Sequence, residues 1–334
     1  MSDTQGGMAG PVAVIGAGAW GTALAIAAAA GGPVRLWARD AARAAAIASA
    51  RENARLLPGA KLPAGVEVTA DLRSALSGAV FGILAVPAQP LASVLALLPQ
   101  RLPPLLVAAK GVEQGTLRLP LETVAALRPG HPAGVLTGPN FAHEVAAGLP
   151  AAALVASADA GLPALVLPRL GSALFRLYAG DDPVGAQVGG AAKNVVAIAA
   201  GAVIGAGFGE NARAALVTRG LAEIGRLAVA LGGRRETVAG LSGLGDLLLT
   251  CTGAHSRNFS LGLALGQGRG LAEILAGRAG VTEGVATAPA LLARAAAAGV
   301  EMPIVAAVAA VLAGEASVAE AMRALMARPM RAEG

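Results

Sequence analysis

The hydrophobic pattern changes character once along the chain. Up to residue 180, short runs rich in Val, Ile and Leu alternate with stretches whose apolar residues recur at helical spacing. Residues 12–15, 34–38, 66–69, 80–86, 105–109, 134–137, 152–156 and 174–178 are predicted as strands, and 20–30 and 41–55 as helices. Strand and helix in alternation predict a doubly wound parallel sheet. Beyond Asp181 the strand-like runs stop, and Ala-rich helical segments continue to Arg331, interrupted by Gly pairs and by Pro289 and Pro303. The pattern divides the chain into an α/β domain over residues 1–182 and an all-helical domain over 183–334, with the boundary near Gly180-Asp181-Asp182-Pro183. No internal repeat is visible, and the Ala-rich runs read as a bias of the whole chain.

Between the first strand and the first helix lies Gly16-Ala-Gly18-Ala19-Trp20-Gly21. This is G-x-G-x-x-G in the context that gives it meaning. Gly16 permits the tight turn, Gly18 lets the backbone approach a pyrophosphate, Gly21 packs helix on strand, and the helix N-terminus favours an anion. The second strand runs into Arg39-Asp40. A guanidinium there suits the 2′-phosphate of NADP, and the neighbouring carboxylate leaves NAD open. Asp40 fits equally well as the N-cap of the following helix.

Composition narrows the class. With 334 residues, 55% hydrophobic and only 14% charged, the chain buries a large core, and disorder is excluded. A mean hydropathy of +0.64 raises the question of a membrane span. The longest apolar stretches are built from Ala, Gly and Val and broken by Gln187, Lys193, Asn194, Glu301 and Pro303, so buried Ala-rich helices are expected and no span. A pI of about 10.3 points toward nucleic acid until the charges are located. They form no basic block, and aromatics at 2% leave few rings for bases to stack on, so a phosphorylated small molecule accounts better for the surplus. The single Cys251 excludes internal disulfides, the first ten residues lack the basic start of a signal peptide, and the cytoplasm is the expected location.

Lysine usage is the sharpest compositional clue. Of 26 basic residues only Lys61, Lys110 and Lys193 are lysine. Such a bias toward Arg keeps Lys where a guanidinium, which does not release its proton, cannot substitute. Lys61, in a Pro/Gly loop, reads as a surface charge. Lys110 follows a strand at the carboxyl edge of the sheet, where ligands bind; its alternative is a strand-end lysine with only its head in water. Lys193 sits in an apolar helix with Gly189 and Gly190 one turn away, small neighbours that leave room for a ligand beside an ammonium whose pKa burial lowers toward the proton-transfer range. A structural lysine paired with a buried acid is the competing reading.

A further cluster runs from Leu241 through Asp246 to Ser256-Arg257-Asn258. Asp246 lies between a Gly-rich turn and an apolar run and needs a cationic partner. Ser256 is an expected N-cap, placing Arg257 and Asn258 in the first turn of a helix whose free N–H groups, cation and amide suit a phosphate; a capped surface helix is the plain alternative. Lys193 is preferred over His131, His143 and His255 as the acid/base. No Cys/His spacing supports a metal, no G-x-S-x-G supports a hydrolase, and Cys251 reads as a small buried residue.

Taken together, Gly16-Ala-Gly-Ala-Trp20-Gly-Thr22-Ala-Leu, Ala85-Val-Pro87, Ala109-Lys110-Gly111, Gly138-Pro139-Asn140-Phe-Ala142, Ala192-Lys193-Asn194-Val, Leu244-Gly-Asp246-Leu, Ser256-Arg257-Asn258 and Thr282-Glu283-Gly284-Val resemble, in order and spacing, the bacterial NAD(P)-dependent glycerol-3-phosphate dehydrogenases. The resemblance covers residues 11 to 325. It implies an N-terminal Rossmann-type doubly wound α/β sheet, an all-α C-terminal domain, and substrate held between them. It implies that Gly16, Gly18, Ala19, Trp20, Gly21, Arg39, Lys110, Ala142, Arg257, Val281 and Glu283 meet NAD or NADP. Lys110, Gly138, Asn140, Lys193, Asp246, Ser256, Arg257 and Asn258 would meet glycerol phosphate, with Lys193 as proton donor and acceptor and Asp246 orienting it. Position 140 is more often Ser or Thr in this family, and Ala19 stands where Ser is common. The implied reaction is reversible reduction of dihydroxyacetone phosphate, feeding phospholipid synthesis; a homodimer is left open. A β-hydroxyacid or 6-phosphogluconate-type dehydrogenase shares the architecture, and a dinucleotide-sensing protein without turnover would share the glycine loop.

Overall fold

The computed structural model describes residues 10–329 apart from Ala254 and Ala279, so the outer ends of the two expected domains lie outside the described residues. Eight strands form one sheet: β1 (Val12–Ile15), β2 (Val34–Trp37), β3 (Val66–Thr69), β4 (Phe81–Leu84), β5 (Leu105–Val107), β6 (Ala133–Thr137), β7 (Ala151–Ala156) and β8 (Phe175–Gly180). Each falls within two residues of its expected position. Their spatial order is β3-β2-β1-β4-β5-β6-β7-β8, so the winding reverses between β1 and β4. The crevice at such a reversal, beyond the carboxyl ends of the strands, is where ligands of this architecture bind. β1 and β4 are buried along their whole length, because helices cover both faces and the strands need no polar side.

Two strands, β7 and β8, depart from the expected direction: they run parallel to each other and opposite to the other six. β7 runs antiparallel to β6, with Leu136 opposite Val155. Between them the only helix is α6 (Ala142–Ala146), numbering the helices in chain order. Five helical residues rise about 7 Å, less than half of a five-residue strand's length, so the chain does not return to the far end of the sheet and turns back instead. Gly138 and Gly148, with φ of +146° and +71°, make the two bends.

Past β8 the chain is helical. Its axle is α8 (Pro183–Gly205), buried without a break from Gly185 to Val203. Asp182 caps it by accepting from the Gly185 N–H at 2.9 Å, with Pro183 at the first helical position. Among the described residues α8 is the one helix long and apolar enough to cross a membrane, and 83% of its most apolar window is buried inside the fold, which is how a core helix behaves.

The glycines of this helix have a packing role. α12 (Arg257–Gly266) crosses α8 so closely that a Cβ at Gly201 or Gly205 would overlap the carbonyl oxygen of Phe259 or Leu263. A Cβ at Gly262 or Gly266 would overlap that of Ile198 or Ala202. Each pair is four residues apart, so it lines one helix face and lets backbone meet backbone. Much of the chain's small-residue bias on these helices is therefore a contact requirement. α9 (Gly209–Ala230) packs on the other side of α8 and carries Glu223, a buried carboxylate that accepts from the Ile304 and Val305 N–H groups at 2.8 and 3.4 Å. Those groups open α15 (Pro303–Ala313). Burial pushes the Glu223 carboxyl up to about 7 against the pull of these N–H groups.

Two predictions follow the packing and the charge. Gly262→Ala should destabilise by about 3 kcal/mol or more, because the methyl meets backbone that cannot turn away. Gly225→Ala, where an added Cβ in α9 meets nothing within 4 Å, should stabilise by about 0.5–1 kcal/mol through helix propensity. Urea midpoints moving the same way in both variants would refute the assignment. For Glu223, the folded chain holds a proton between pH 4.5 and about 7 that the unfolded chain releases. Stability is therefore lost as pH rises through that window. Glu223→Gln, which keeps an acceptor for Ile304, should flatten this loss, of order 2–3 kcal/mol; parallel pH profiles for parent and variant would remove Glu223 as its source.

Candidate active site

The glycine loop joins β1 to α1 (Ala19–Ala28). Gly16 has φ +117°, and a Cβ there would lie 2.6 Å from the Ala85 carbonyl oxygen in the turn after β4. A Cβ at Gly21 would overlap the Gly16 carbonyl, whereas Gly18 faces open space. Gly16 and Gly21 thus serve the turn and the helix packing, as expected from their spacing, and Gly18 leaves its side of the loop open. Gly18 caps α1 without a side-chain hydrogen bond, so the first N–H groups of the helix are left to an outside anion. Trp20 stacks edge-on against Phe175 at 6.5 Å, and its indole N–H is buried without a partner. These features fit a dinucleotide.

Behind the loop stand residues that the sequence reading missed. Thr22 donates N–H and Oγ1–H to the Gly18 carbonyl at 2.9 and 2.8 Å. Asn53 donates to the Ala17 carbonyl at 3.0 Å and to Thr22 Oγ1 at 2.8 Å, and the Arg43 guanidinium reaches the same Ala17 carbonyl. Arg39 is exposed at the end of β2. Asp40 takes the capping role: its carboxylate accepts from the Arg43 N–H at 2.7 Å and starts α2 (Ala41–Ala50).

Across the crevice lies a cluster of buried charge. Lys110 leaves the end of β5 and donates to Asp246 Oδ2 at 2.6 Å and to the Gly138 carbonyl at 3.1 Å. Lys193, in the middle of α8, donates to Asp246 Oδ1 at 2.7 Å and to Thr250 Oγ1 at 2.9 Å. One fully buried carboxylate is therefore shared by an ammonium from the sheet and an ammonium from the helical half. A π-helical turn, Leu241–Gly245, delivers Asp246 to the start of α11 (Asp246–Thr252). Thr250, one turn on, donates to the Asp246 backbone carbonyl at 2.6 Å, which aims its lone pairs at Lys193. Burial lowers the Lys193 pKa; Asp246 opposes that and the Lys110 charge adds to it. Cys251 is buried and its thiol is pushed up to about 12 by burial, so it is inert.

Gly189 and Gly190 do not open space for a ligand, contrary to the expectation from sequence. A Cβ at Gly189 would lie 2.7 Å from the Ser242 carbonyl, and one at Gly190 3.0 Å from Thr137 Oγ1 and 3.6 Å from the Lys110 stem. These glycines seat the π-helical turn and let the sheet close on α8. Two of the polar atoms left for a ligand lie on the sheet side. Thr137 Oγ1 and Asn140 Oδ1 are buried without partners, while Asn140 Nδ2 holds the Ala152 carbonyl at 3.0 Å.

The third group gathers at the start of α12. Ser256 is its N-cap, accepting from the Phe259 N–H at 3.2 Å. Asn258 braces the site internally, donating to Asn194 Oδ1 at 2.9 Å and accepting from the Gly284 N–H at 3.0 Å. Arg257 is exposed in the first turn. Glu283 opens α14 (Glu283–Ala297). Burial raises the Glu283 pKa, while Arg257, Lys193, Lys110 and the Ala88 N–H pull it back. Val281 just before it is exposed. Ala142 begins α6, where the rings of Phe141 and His143 meet His255 at 6.0 and 5.3 Å, a bridge from the sheet half to the residue before Ser256.

Comparison with known proteins agrees with this arrangement. Residues 11–162 match the family described as NAD-dependent glycerol-3-phosphate dehydrogenase N-terminus, and residues 182–323 the corresponding C-terminus. The chain is 54% identical over 269 residues to glycerol-3-phosphate dehydrogenase [NAD(P)+] of Rhodospirillum rubrum, covering 79% of this chain and 77% of that one. It is 51% identical over 265 residues to the protein of the same name from Gluconobacter oxydans, covering 79% and 80%. The crystal structure of glycerol-3-phosphate dehydrogenase from Coxiella burnetii superposes with a TM-score of 0.92 at 37% identity, covering 96% of this chain and all of that one. With both halves matched in order and the fold matched over nearly its whole length, the chain belongs to the NAD-dependent glycerol-3-phosphate dehydrogenase family.

Proposed function

We propose that the chain catalyses reversible reduction of dihydroxyacetone phosphate to sn-glycerol 3-phosphate with NADH or NADPH. The observation that carries this reading is the Asp246 carboxylate shared between Lys110 and Lys193. A bound reduced nicotinamide supplies the hydride for the carbonyl carbon. Lys193 gives a proton from Nζ to the carbonyl oxygen in reduction and takes it back from the hydroxyl in oxidation. Burial moves its pKa down, which eases release of the proton. Asp246 fixes the direction of that Nζ, and Thr250 accepts a second of its protons. Lys110, Gly138 and Asn140 bind substrate from the sheet side. Arg257 and the free N–H groups behind Ser256 bind its phosphate, whose binding energy holds the carbonyl in place. Asn258 serves the phosphate chiefly by bracing this helix start, since its amide is already committed to Asn194 and Gly284.

In this reading residues 1–182 hold the dinucleotide and 183–334 supply the acid/base and the phosphate site. Gly16, Gly18, Ala19 and Gly21 take the pyrophosphate, and Trp20, Ala142, Val281 and Glu283 border the dinucleotide. Arg39, exposed where an adenosine ribose arrives, supports acceptance of NADP as well as NAD. A role in phospholipid synthesis, in the cytoplasm, accords with this chemistry and with the single buried cysteine.

The direct test is oxidation of NADH and NADPH, followed by absorbance, with dihydroxyacetone phosphate beside unphosphorylated dihydroxyacetone. Turnover far faster with the phosphorylated substrate is expected; equal rates, or none with either, would overturn the proposal. Lys193→Arg should fold and lose about 100-fold or more in kcat, because a guanidinium keeps the charge and withholds the proton. A kcat within about threefold of the parent would remove Lys193 from proton transfer. Arg257→Ala should raise KM for dihydroxyacetone phosphate strongly and lower kcat, while the poor activity on dihydroxyacetone changes far less. Loss by one common factor for both substrates would show that Arg257 acts on the coenzyme or the fold.

A further inference from the structure

The segment between α2 and β3 is long and tied down along its length. Arg51 ends α2 in a left-handed conformation with φ +50°, and its guanidinium holds the carbonyls of Val66 at 2.8 Å and Leu62 at 3.2 Å, and also that of Pro63. Lys61 pairs with Glu52 at 2.6 Å, and these two residues form an isolated bridge. Leu57 and Leu62 are buried beneath it. Only one polar side chain of this excursion is buried, Asn53, at 1% exposure. It points away from its own segment, into the back of the glycine loop.

There it holds, one directly and one through Thr22, the two carbonyls that the loop must keep away from an anion. Asn53 donates to Ala17 O at 3.0 Å and to Thr22 Oγ1 at 2.8 Å, and Thr22 passes its own proton to Gly18 O at 2.8 Å. Arg43 adds a charged donor to Ala17 O. Each peptide has its N–H and C=O on opposite sides, so fixing the carbonyls of residues 17 and 18 on the Asn53 side turns the following N–H groups toward the crevice. We infer that Asn53 is a positioning residue for coenzyme binding: from outside G-x-G-x-x-G it locks, together with Thr22, the orientation in which the loop presents its N–H groups to a pyrophosphate. It touches no reacting atom. In the proposed reading Arg39 bears on the 2′-phosphate alone, whereas Asn53 acts equally on NAD and NADP.

The inference rests on the glycine loop being the coenzyme site, and calorimetric titration with NAD+ and NADP+ separates the two claims. If the parent chain binds neither, the reading of the loop falls with the inference. With binding by the parent, Asn53→Leu, similar in size and without the amide, should weaken both dinucleotides about tenfold, by the same factor for each. KM for dihydroxyacetone phosphate and kcat at saturating coenzyme should stay within about threefold, because the lysine pair and the α12 start are untouched. Unchanged dissociation constants in a folded variant would overturn the inference. So would a loss confined to NADP+, or a rise in KM for dihydroxyacetone phosphate matching the loss for coenzyme. Should Asn53→Leu fail to fold, Thr22→Val decides: removing the hydroxyl between Asn53 and Gly18 should weaken both dinucleotides about threefold, and parent affinity would overturn the inference.

Discussion

One buried carboxylate organises this protein. Asp246 is fully enclosed, and an isolated charge there would cost several kcal/mol. Two ammonium groups resolve that cost, at 2.6 and 2.7 Å, and they arrive from different halves of the chain. The triad carries a net positive charge in a site from which water is largely excluded. Such a site has two ways of relieving its surplus: it binds an anion, or it lets a lysine release a proton. Burial and the charge of Lys110 beside it move Lys193 in that direction, against the pull of Asp246. The same arrangement that fastens the helical half to the sheet therefore also bears on the Lys193 proton.

Placing three charged groups within hydrogen-bonding distance requires close backbones, and α8 supplies them. Its glycines accept α12 on one side, the π-helical turn of residues 241–245 on another and the sheet residue Thr137 on a third. The π-helical turn shifts the register of the chain just before Asp246, and such turns recur where a side chain must be aimed. A helix of larger residues would bury more apolar surface and hold Lys193 too far from its partners.

Several polar residues that look like ligands in the sequence are committed to the protein itself. Asp40 caps α2, Ser256 caps α12, and Asn258 ties α8, α12 and α14 together. Their contribution is rigidity: they fix where free N–H groups and the Arg257 guanidinium stand. The glycine loop follows the same rule, with Thr22, Arg43 and Asn53 holding its carbonyls so that its N–H groups are free.

All eight strands, the turn at Gly16 and the close packing at Gly21, the capping of α12 by Ser256 and the scarcity of lysine were legible in the sequence, because each is a local consequence of side-chain period, backbone sterics or the chemistry of one residue. The reversal of β7 was not legible, since it depends on how far five residues of α6 carry the chain relative to the sheet. Nor was the second partner of Asp246: the resemblance implied that Asp246 orients Lys193, but Lys110 lies 136 residues away and its meeting with the same carboxylate is decided only when sheet and helices pack. Gly189 and Gly190 read as room for a ligand and proved to be room for backbone, because a missing side chain says that something comes close without saying what. Asn53 carried no signal at all, being a single amide in a loop. Local chemistry is written residue by residue, whereas the pairing of distant polar groups is fixed by the tertiary fold, which alone determines which of them are buried together.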